Sequence, residues 1–348
     1  MKTTRLAILI SGGGTTLQNL AEAIARGQLS AQIVCVIASN PKCFGIQRAQ
    51  KLTLPTFIVT RKDFPTLELF SNEIAHLLRH HAVDLACMAG FLSLWTIPED
   101  FTCRVLNIHP ALLPKFGGKG MHGHHVHEAV LAAHETESGC TVHFADNTYD
   151  TGPTILQRKV PVLPTDTPDT LAARVFEQEC LAYPAAVELY GKGVLEREGT
   201  KAFLRKGLAY ITRERNGQRQ LLVFDHVHNP QAGTQVPHGT MHHGEDPLAA
   251  TLREVHEETG LSNSVLHRKI GVFEWCSPDW GILYQRHVYH FIAPPDTPDS
   301  WEWYETDGGQ IPETPEKLFR FRWHPLTRPL ILAGNQHAYI DRELITPS

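Results

Sequence analysis

What the sequence is short of narrows the field first. None of its 348 residues falls in an apolar run of eighteen or more, which excludes a membrane-spanning helix by length. The opening apolar run, Leu6 to Ile10, is too short for a secretory h-region and leads into glycines, so it reads as a first strand. The seven cysteines (35, 43, 87, 103, 140, 180 and 276) contain no CxxC pair. That pattern argues against a disulfide frame or a zinc ribbon and fits reduced thiols, so the expected location is cytoplasmic. Positive charge is scarce: 32 Lys and Arg stand against 37 Asp and Glu, a net charge of −5. A broad nucleic-acid surface is therefore not expected, and an anionic ligand must be held by local donors. There is no internal repeat. Histidine, by contrast, is plentiful, with 21 residues, nine of them in clusters at 122–127, 226–228 and 238–243. The first cluster has no cysteine or carboxylate at zinc-ligand spacing and reads as a polar, histidine-rich loop.

The length suits two domains better than one core. Up to about residue 195, buried-strand runs (Leu6–Ile10, Ile33–Ala38, Leu85–Met88, Val105–Leu106) alternate with helical spacing at Thr15–Arg26, Gly45–Lys51 and Thr66–His80. Such alternation predicts an α/β domain with a doubly wound, mostly parallel sheet. Thr141–Ala145 and Thr154–Val162 read as strands around a turn. Asp169–Tyr190 reads as one long helix with Thr167 as N-cap, Pro168 in its first turn and a kink at Pro184. Gly191–Gly193 ends that helix, and the polar stretch from Glu196 to Thr200 marks a boundary, giving domains 1–195 and 196–348. The second part, with strands at Gly207–Arg213, Leu221–Val227, Gly271–Trp275 and His287–Ala293 around an amphipathic helix at Pro247–Thr259, is of α+β type.

Three features of the first part carry chemistry. Ser11-Gly12-Gly13-Gly14-Thr15-Thr16 lies between strand and helix, where backbone N–H groups and a helix N-terminus can meet a phosphate; a tight turn is the other reading. No Lys-Ser/Thr closes it, so it is not a Walker loop. Asn107 and His109 end an apolar strand, where open α/β sheets place ligands. Asp150 sits in the turn Tyr149–Pro153. An amide, an imidazole and a carboxylate suit acyl transfer to an amine: two donors for an oxyanion and an acceptor for the amine proton. Singly, each has a plain alternative as turn former or buried polar residue.

Together these pieces resemble glycinamide ribonucleotide formyltransferase from Leu6 to about Gly193. The likeness is carried by Ser11–Gln18, Met88–Leu92, Asn107–Pro114, Gly139–Phe144 and Asp150–Gln157 in the family's order. The resemblance implies Asn107, His109 and Asp150 as catalytic residues. It implies Gly14, Thr15 and Thr16 around the ribonucleotide phosphate, with Glu179 near the ribose. It also implies a 10-formyltetrahydrofolate pocket built by Met88, Ala89, Gly90, Phe91, Leu92, Ser93 and Leu94. Departures from the family pattern fall at Gly13, Thr16, Ser93 and Phe176. A sugar-nucleotide N-formyltransferase shares a similar trio and is the alternative. A methionyl-tRNA formyltransferase fits less well with the acidic charge.

In the second part, Gly239, five residues, Glu245, seven residues and Arg253-Glu254-Val255-His256-Glu257-Glu258-Thr259-Gly260-Leu261 resemble the Nudix box at every fixed position. At ~100° per residue, Glu254, Glu257 and Glu258 share about 100° of one helix face. Carboxylates so close repel unless a cation sits among them, and oxygen-only ligands suit Mg²⁺ or Mn²⁺. The resemblance implies metal ligation by Gly239 (carbonyl), Glu254, Glu257 and Glu258, with Glu254 as base or ligand, and a nucleoside diphosphate derivative as substrate. A nucleotide-binding regulatory module is the alternative for this half. Aromatic residues at Trp275, Trp280, Trp301 and Trp303 suit base stacking or packing. The expected partners are these small molecules, with no nucleic acid or membrane; oligomerisation stays open.

Overall fold

A computed structural model of the chain describes residues 3–199, 201–306 and 317–340. Thr200, the end of the polar stretch noted above, lies outside them. The chain divides into two compact units. One comprises Met1–Gly193, Arg197–Ala202 and Pro278–Ile282; the other comprises Val194–Glu196, Phe203–Ser277 and Leu283–Ser348.

The first unit starts with strand β1 (Thr4–Ile10), helix α1 (Thr15–Ala25), β2 (Ala31–Ala38), α2 (Phe44–Lys51), β3 (Thr56–Ile58) and α3 (Leu67–His80). It continues through β4 (Leu85–Met88), β5 (Val105–His109), α4 (His124–Ala132), β6 (Glu137–Phe144), β7 (Thr154–Pro161) and α5 (Pro168–Gly191). Its sheet runs β3-β2-β1-β4-β5-β6-β7. The first five strands are parallel, and β6 and β7 are antiparallel additions. The chain winds outward from β1 to β3 and then returns to lay β4 beside β1, so strand order reverses there and a crevice opens at the carboxyl ends. β1 is buried almost throughout, as expected for a strand covered on both faces. Phe70, Ile74 and Leu78 of α3 pack with Ala7, Leu9, Trp95 and Phe101. The buried Tyr183 hydroxyl of α5 donates to the Met88 and Leu106 carbonyls, both at 3.0 Å, fixing the ends of β4 and β5.

Several local readings shift. α5 runs on past Pro184 as one helix, and its start is the expected Thr167 cap with Pro168 in the first turn. β6 begins four residues before Thr141, because Ser138 and Thr141 are buried polar residues that an apolar pattern does not mark. The histidine-rich stretch is not all loop: His124, His125 and His127 form the first turn of α4.

The second unit contains β8 (Leu195–Glu198), whose end belongs to the first unit, then β9 (Lys201–Arg215), β10 (Gln218–His226), β11 (His238–Thr240), α6 (Pro247–Thr259), β12 (Val265–Cys276), β13 (Leu283–Ile292), β14 (Ser300–Tyr304) and β15 (Leu318–Pro325). β9 pairs with β10, β11 and β13, and β13 with β12. Alternate side chains serve two cores. Ala209, Ile211, Leu222 and Phe224 meet Val255 of α6, while Leu208, Tyr210, Leu221 and Val223 meet Leu326, Leu332 and Ile340. Asp246 caps α6 by accepting from the Leu248 and Ala249 N–H groups, Pro247 follows, and Gly260 closes it in the left-handed region, as the spacing predicts.

Candidate functional sites

In the first unit, Asn107 and His109 lie two apart on β5 and so face the same side of the sheet. Beneath the carboxyl ends is a cavity of about 360 Å³. Asn107, His109 and Asp150 all line it, as do Thr16, Met88, Gly90, Phe91, Leu92, Ser93, Phe176 and Glu179. Gly14, Thr15 and Ala89 do not. Ala89 is buried, its N–H on the Leu9 carbonyl, while Gly14 is buried at the head of α1.

The trio is close-set. Asn107 Nδ2 donates to Asp150 Oδ1 at 3.3 Å, and His109 Nδ1 lies 3.6 Å from Asp150 Oδ2. His109 Nε2 contacts the Phe116 carbonyl at 2.7 Å, so that nitrogen carries the proton in this arrangement. Burial lowers the His109 pKa, against the opposing pull of Asp150, so the ring is neutral at rest. Asp150 is half-buried at φ 57°, and its Oδ2 accepts from the Gly118 N–H at 2.9 Å. Burial works against its charge, yet His143, His109 and that N–H together hold the carboxyl below its ordinary value. Asp150 is therefore ionised and able to take a proton.

A fourth residue was not singled out from the sequence. His143 of β6 stands opposite Asn107 in register. Its Nε2 lies 3.1 Å from Asn107 Nδ2 and 3.7 Å from Asp150 Oδ1, and its Nδ1 reaches the Phe144 carbonyl at 2.9 Å. With Nδ1 the donor, Nε2 accepts from Asn107 and fixes the amide's orientation. The signal that could have found it is the antiparallel pairing of β6 against β5. No thiol competes for the chemistry: burial pushes Cys87 and Cys140 up to about 12.

Glu179 faces the cavity from α5, and burial pushes its carboxyl up to about 7. The folded value thus lies above the ordinary 4.5, so the fold binds this proton more tightly than the unfolded chain does. Stability from this group is present below 4.5 and is lost as pH rises toward 7. Glu179→Gln removes that loss, so its thermal midpoint relative to wild type should be higher at pH 8 than at pH 5. An equal difference at both values would show that Glu179 is not held protonated.

At the glycine-rich loop before α1, Gly14 (φ 73°) packs its backbone on α2. A Cβ there would meet Gly45 Cα at 2.6 Å, and a Cβ on Gly45 would meet Ile10 Cδ1 at 2.7 Å. Gly45 N–H donates to the Gly12 carbonyl and Arg48 Nε to that of Gly13. Gly12, Gly13 and Thr15 are exposed around the α1 N-terminus.

In the second unit, α6 presents its acids beside β11. A Cβ on Gly239 would fall 1.8 Å from Glu254 Cδ, and one on its strand partner Gly207 would fall 2.2 Å from Thr251 Oγ1. Paired glycines thus let the helix seat closely. Glu258 is 5 % exposed and Glu254 9 %. Burial raises both carboxyls, Glu258 well above its usual value even though its Oε2 accepts the His238 N–H at 2.8 Å. Arg253 Nη1 donates to Glu254 and Glu257, each at 2.9 Å, and Arg253 Nε to Glu245 at 3.0 Å. Among the described residues no three acids or histidines already converge at ligand spacing. The donor set nonetheless fits a hard divalent cation, because buried oxygen donors with one shared arginine carry excess negative charge. Trp301 and Trp303 donate to the Thr259 and Glu257 carbonyls and pack at the end of α6, Trp280 falls in the first unit, and Trp275 is half-exposed.

Comparison with known proteins agrees with these two parts. The formyl transferase family model matches residues 4–187 and the NUDIX domain model residues 205–344. A trifunctional purine biosynthetic protein adenosine-3 from Drosophila pseudoobscura pseudoobscura is 42% identical over 198 residues, 56% of this chain and 14% of that protein. The chain therefore spans only a small part of that relative. Phosphoribosylglycinamide formyltransferase of Haemophilus influenzae is 35% identical over 202 residues, 58% of this chain and 93% of that enzyme. Among solved structures, glycinamide ribonucleotide transformylase 1 from Symbiobacterium toebii superposes with a TM-score of 0.54 at 33% identity, covering 57% of this chain and 93% of that one. No described helix is long and apolar enough to cross a membrane. The chain belongs to the formyl transferase family and carries a Nudix domain after its transferase part.

Proposed function

We propose that the first unit transfers a formyl group from 10-formyltetrahydrofolate to the amine of glycinamide ribonucleotide. The observation that carries this reading is the Asn107–His109–Asp150 cluster at the floor of a cavity whose wall is apolar at Phe91, Leu92 and Leu94. Leu92 and Leu94 are 55% and 40% exposed, apolar surface suited to a flat folate ring. The amine nitrogen attacks the formyl carbon, and Asn107 and His109 donate to the oxygen as it becomes an oxyanion. His109 reaches that role by exchanging its bond to the Phe116 carbonyl for one to the substrate. Asp150 takes the proton lost by the amine. The bond from the formyl carbon to N10 then breaks, and N10 is protonated. Thr16 and the exposed N–H groups before α1 receive the phosphate, and Glu179 the ribose.

Incubating the full chain with 10-formyltetrahydrofolate and glycinamide ribonucleotide should yield the formylated nucleotide and tetrahydrofolate. If a sugar nucleotide is formylated and glycinamide ribonucleotide is not, this substrate assignment fails.

For the second unit we propose divalent-metal-dependent hydrolysis of a nucleoside diphosphate derivative, with Glu254, Glu257, Glu258 and the Gly239 carbonyl holding the metal. A bound Mg²⁺ or Mn²⁺ supplies charge neutralisation and an activated water. Arg253 orients Glu254 and Glu257, and burial around Glu258 excludes bulk water from the acids.

A further inference from the structure

Most arginines of the second unit meet a carboxylate. Arg205 pairs with Glu196, Arg213 with Asp299, Arg253 with Glu245 and Arg320 with Glu302. Arg286 of β13 does not. It is 4 % exposed, makes no ion pair among the described residues, and leaves its Nε without a hydrogen-bond partner. Its guanidinium lies over the Trp275 ring at 4.4 Å, and Nη1 donates to the Gly334 carbonyl. Burial pulls its pKa down to about 10, with only the Tyr284 and Tyr210 hydroxyls acting in the opposite direction. A buried, unpaired guanidinium is costly to a fold and is retained readily where an anion completes it.

A second cation stands beside it. Lys206 of β9 is the register partner of Arg286 in the parallel β9–β13 pair, so both side chains leave the same face. Lys206 also makes no ion pair among the described residues, and its Nζ lies 5.4 Å from the centre of the Tyr284 ring. The carboxylates of Glu258 and Glu254 are near enough to act on its charge, and so is Arg286. Lys206 is thus within electrostatic reach of the α6 acids, and the two unpaired cations are edged by the half-exposed rings of Trp275 and Tyr284. Arginine beside lysine suits phosphate oxygens, the first by its fork and the second as a point charge.

We propose that Arg286 and Lys206 form a phosphate subsite of the Nudix domain, taking one phosphate of an organic diphosphate. The identity of that ligand rests on the hydrolase reading; the anion site itself rests on the two unpaired cations.

The test is calorimetric titration of the full chain with ADP in EDTA, so that binding is read without metal. Arg286→Met keeps a long apolar side chain on Trp275 and removes the charge. We expect its ADP affinity to fall about thirtyfold, as for loss of a charge-assisted phosphate contact, with a thermal midpoint equal to or above wild type. Lys206→Met should weaken ADP as well, and it serves if Arg286→Met does not fold. Unchanged ADP affinity with a lowered midpoint would make Arg286 a packing residue for the Gly334 segment and overturn the proposal. Failure of the wild type to bind ADP or inorganic pyrophosphate would overturn it too. Weakened ADP binding in the variants, in a chain that hydrolyses no diphosphate with Mg²⁺ or Mn²⁺, would sustain the subsite and remove the hydrolase reading. Metal-dependent turnover together with unaltered ADP binding in both variants would do the reverse.

Discussion

Asp150→Asn should lower kcat for formyl transfer by about 10³-fold while leaving the first unit folded. The side chain keeps its shape, and asparagine tolerates the left-handed backbone at φ 57° that most residues resist. Its single amide oxygen can still accept from the Gly118 N–H, while the bond that the other carboxylate oxygen accepts from Asn107 is given up. What is lost is the negative charge, held here below the usual carboxylate range by His143, His109 and the Gly118 N–H despite burial. An amide cannot accept the amine proton. A factor of about 10³ corresponds to about 4 kcal/mol in the barrier, within the usual range for a lost general base. Steady-state rates with glycinamide ribonucleotide, beside a thermal midpoint within a few degrees of wild type, would check this. Near-wild-type turnover would remove Asp150 from the mechanism.

The second large effect belongs to the other unit. Glu254→Gln should abolish Mg²⁺- or Mn²⁺-dependent phosphate release from nucleoside diphosphate derivatives, by about 10³-fold or more, as expected when an anionic ligand or base is neutralised. Formyl transfer should be unchanged, because the variant alters only the second unit. Glutamine also fits the space over Gly239 that admits Glu254. Its amide can still accept from Arg253, so the comparison isolates charge from packing. Retained metal-dependent turnover would place the base elsewhere.

How much of this was legible in the sequence depends on how local each feature is. The parallel strands of the first unit and the whole of α6, with Asp246 at its start and Gly260 at its end, follow from patterns a few residues long. Asn107 and His109 could be seen because they end an apolar strand before a proline. His143 could not, since its role depends on a β5–β6 pairing that brings position 143 to position 107. The family resemblance puts Gly14, Thr15 and Thr16 around a phosphate. Only the fold reveals that Thr16 turns into the cavity while Gly14 is spent on contact with α2. Arg286 and Lys206 are 80 positions apart and carry no motif. Their interest lies in what is missing around them, which a linear reading does not register.

The contact between Gly14 and Gly45 has a consequence for anyone who would move or diversify the glycine-rich loop before α1. Residues 11–16 look like a self-contained cassette, but their course is set by a second segment thirty positions downstream: one glycine that must lack a side chain and one arginine that ties down the Gly13 carbonyl. The inheritable unit is therefore split in two. A graft that carries the loop alone onto another sheet, or a library that randomises position 45 as an ordinary helix residue, would lose the loop's shape with every loop letter intact.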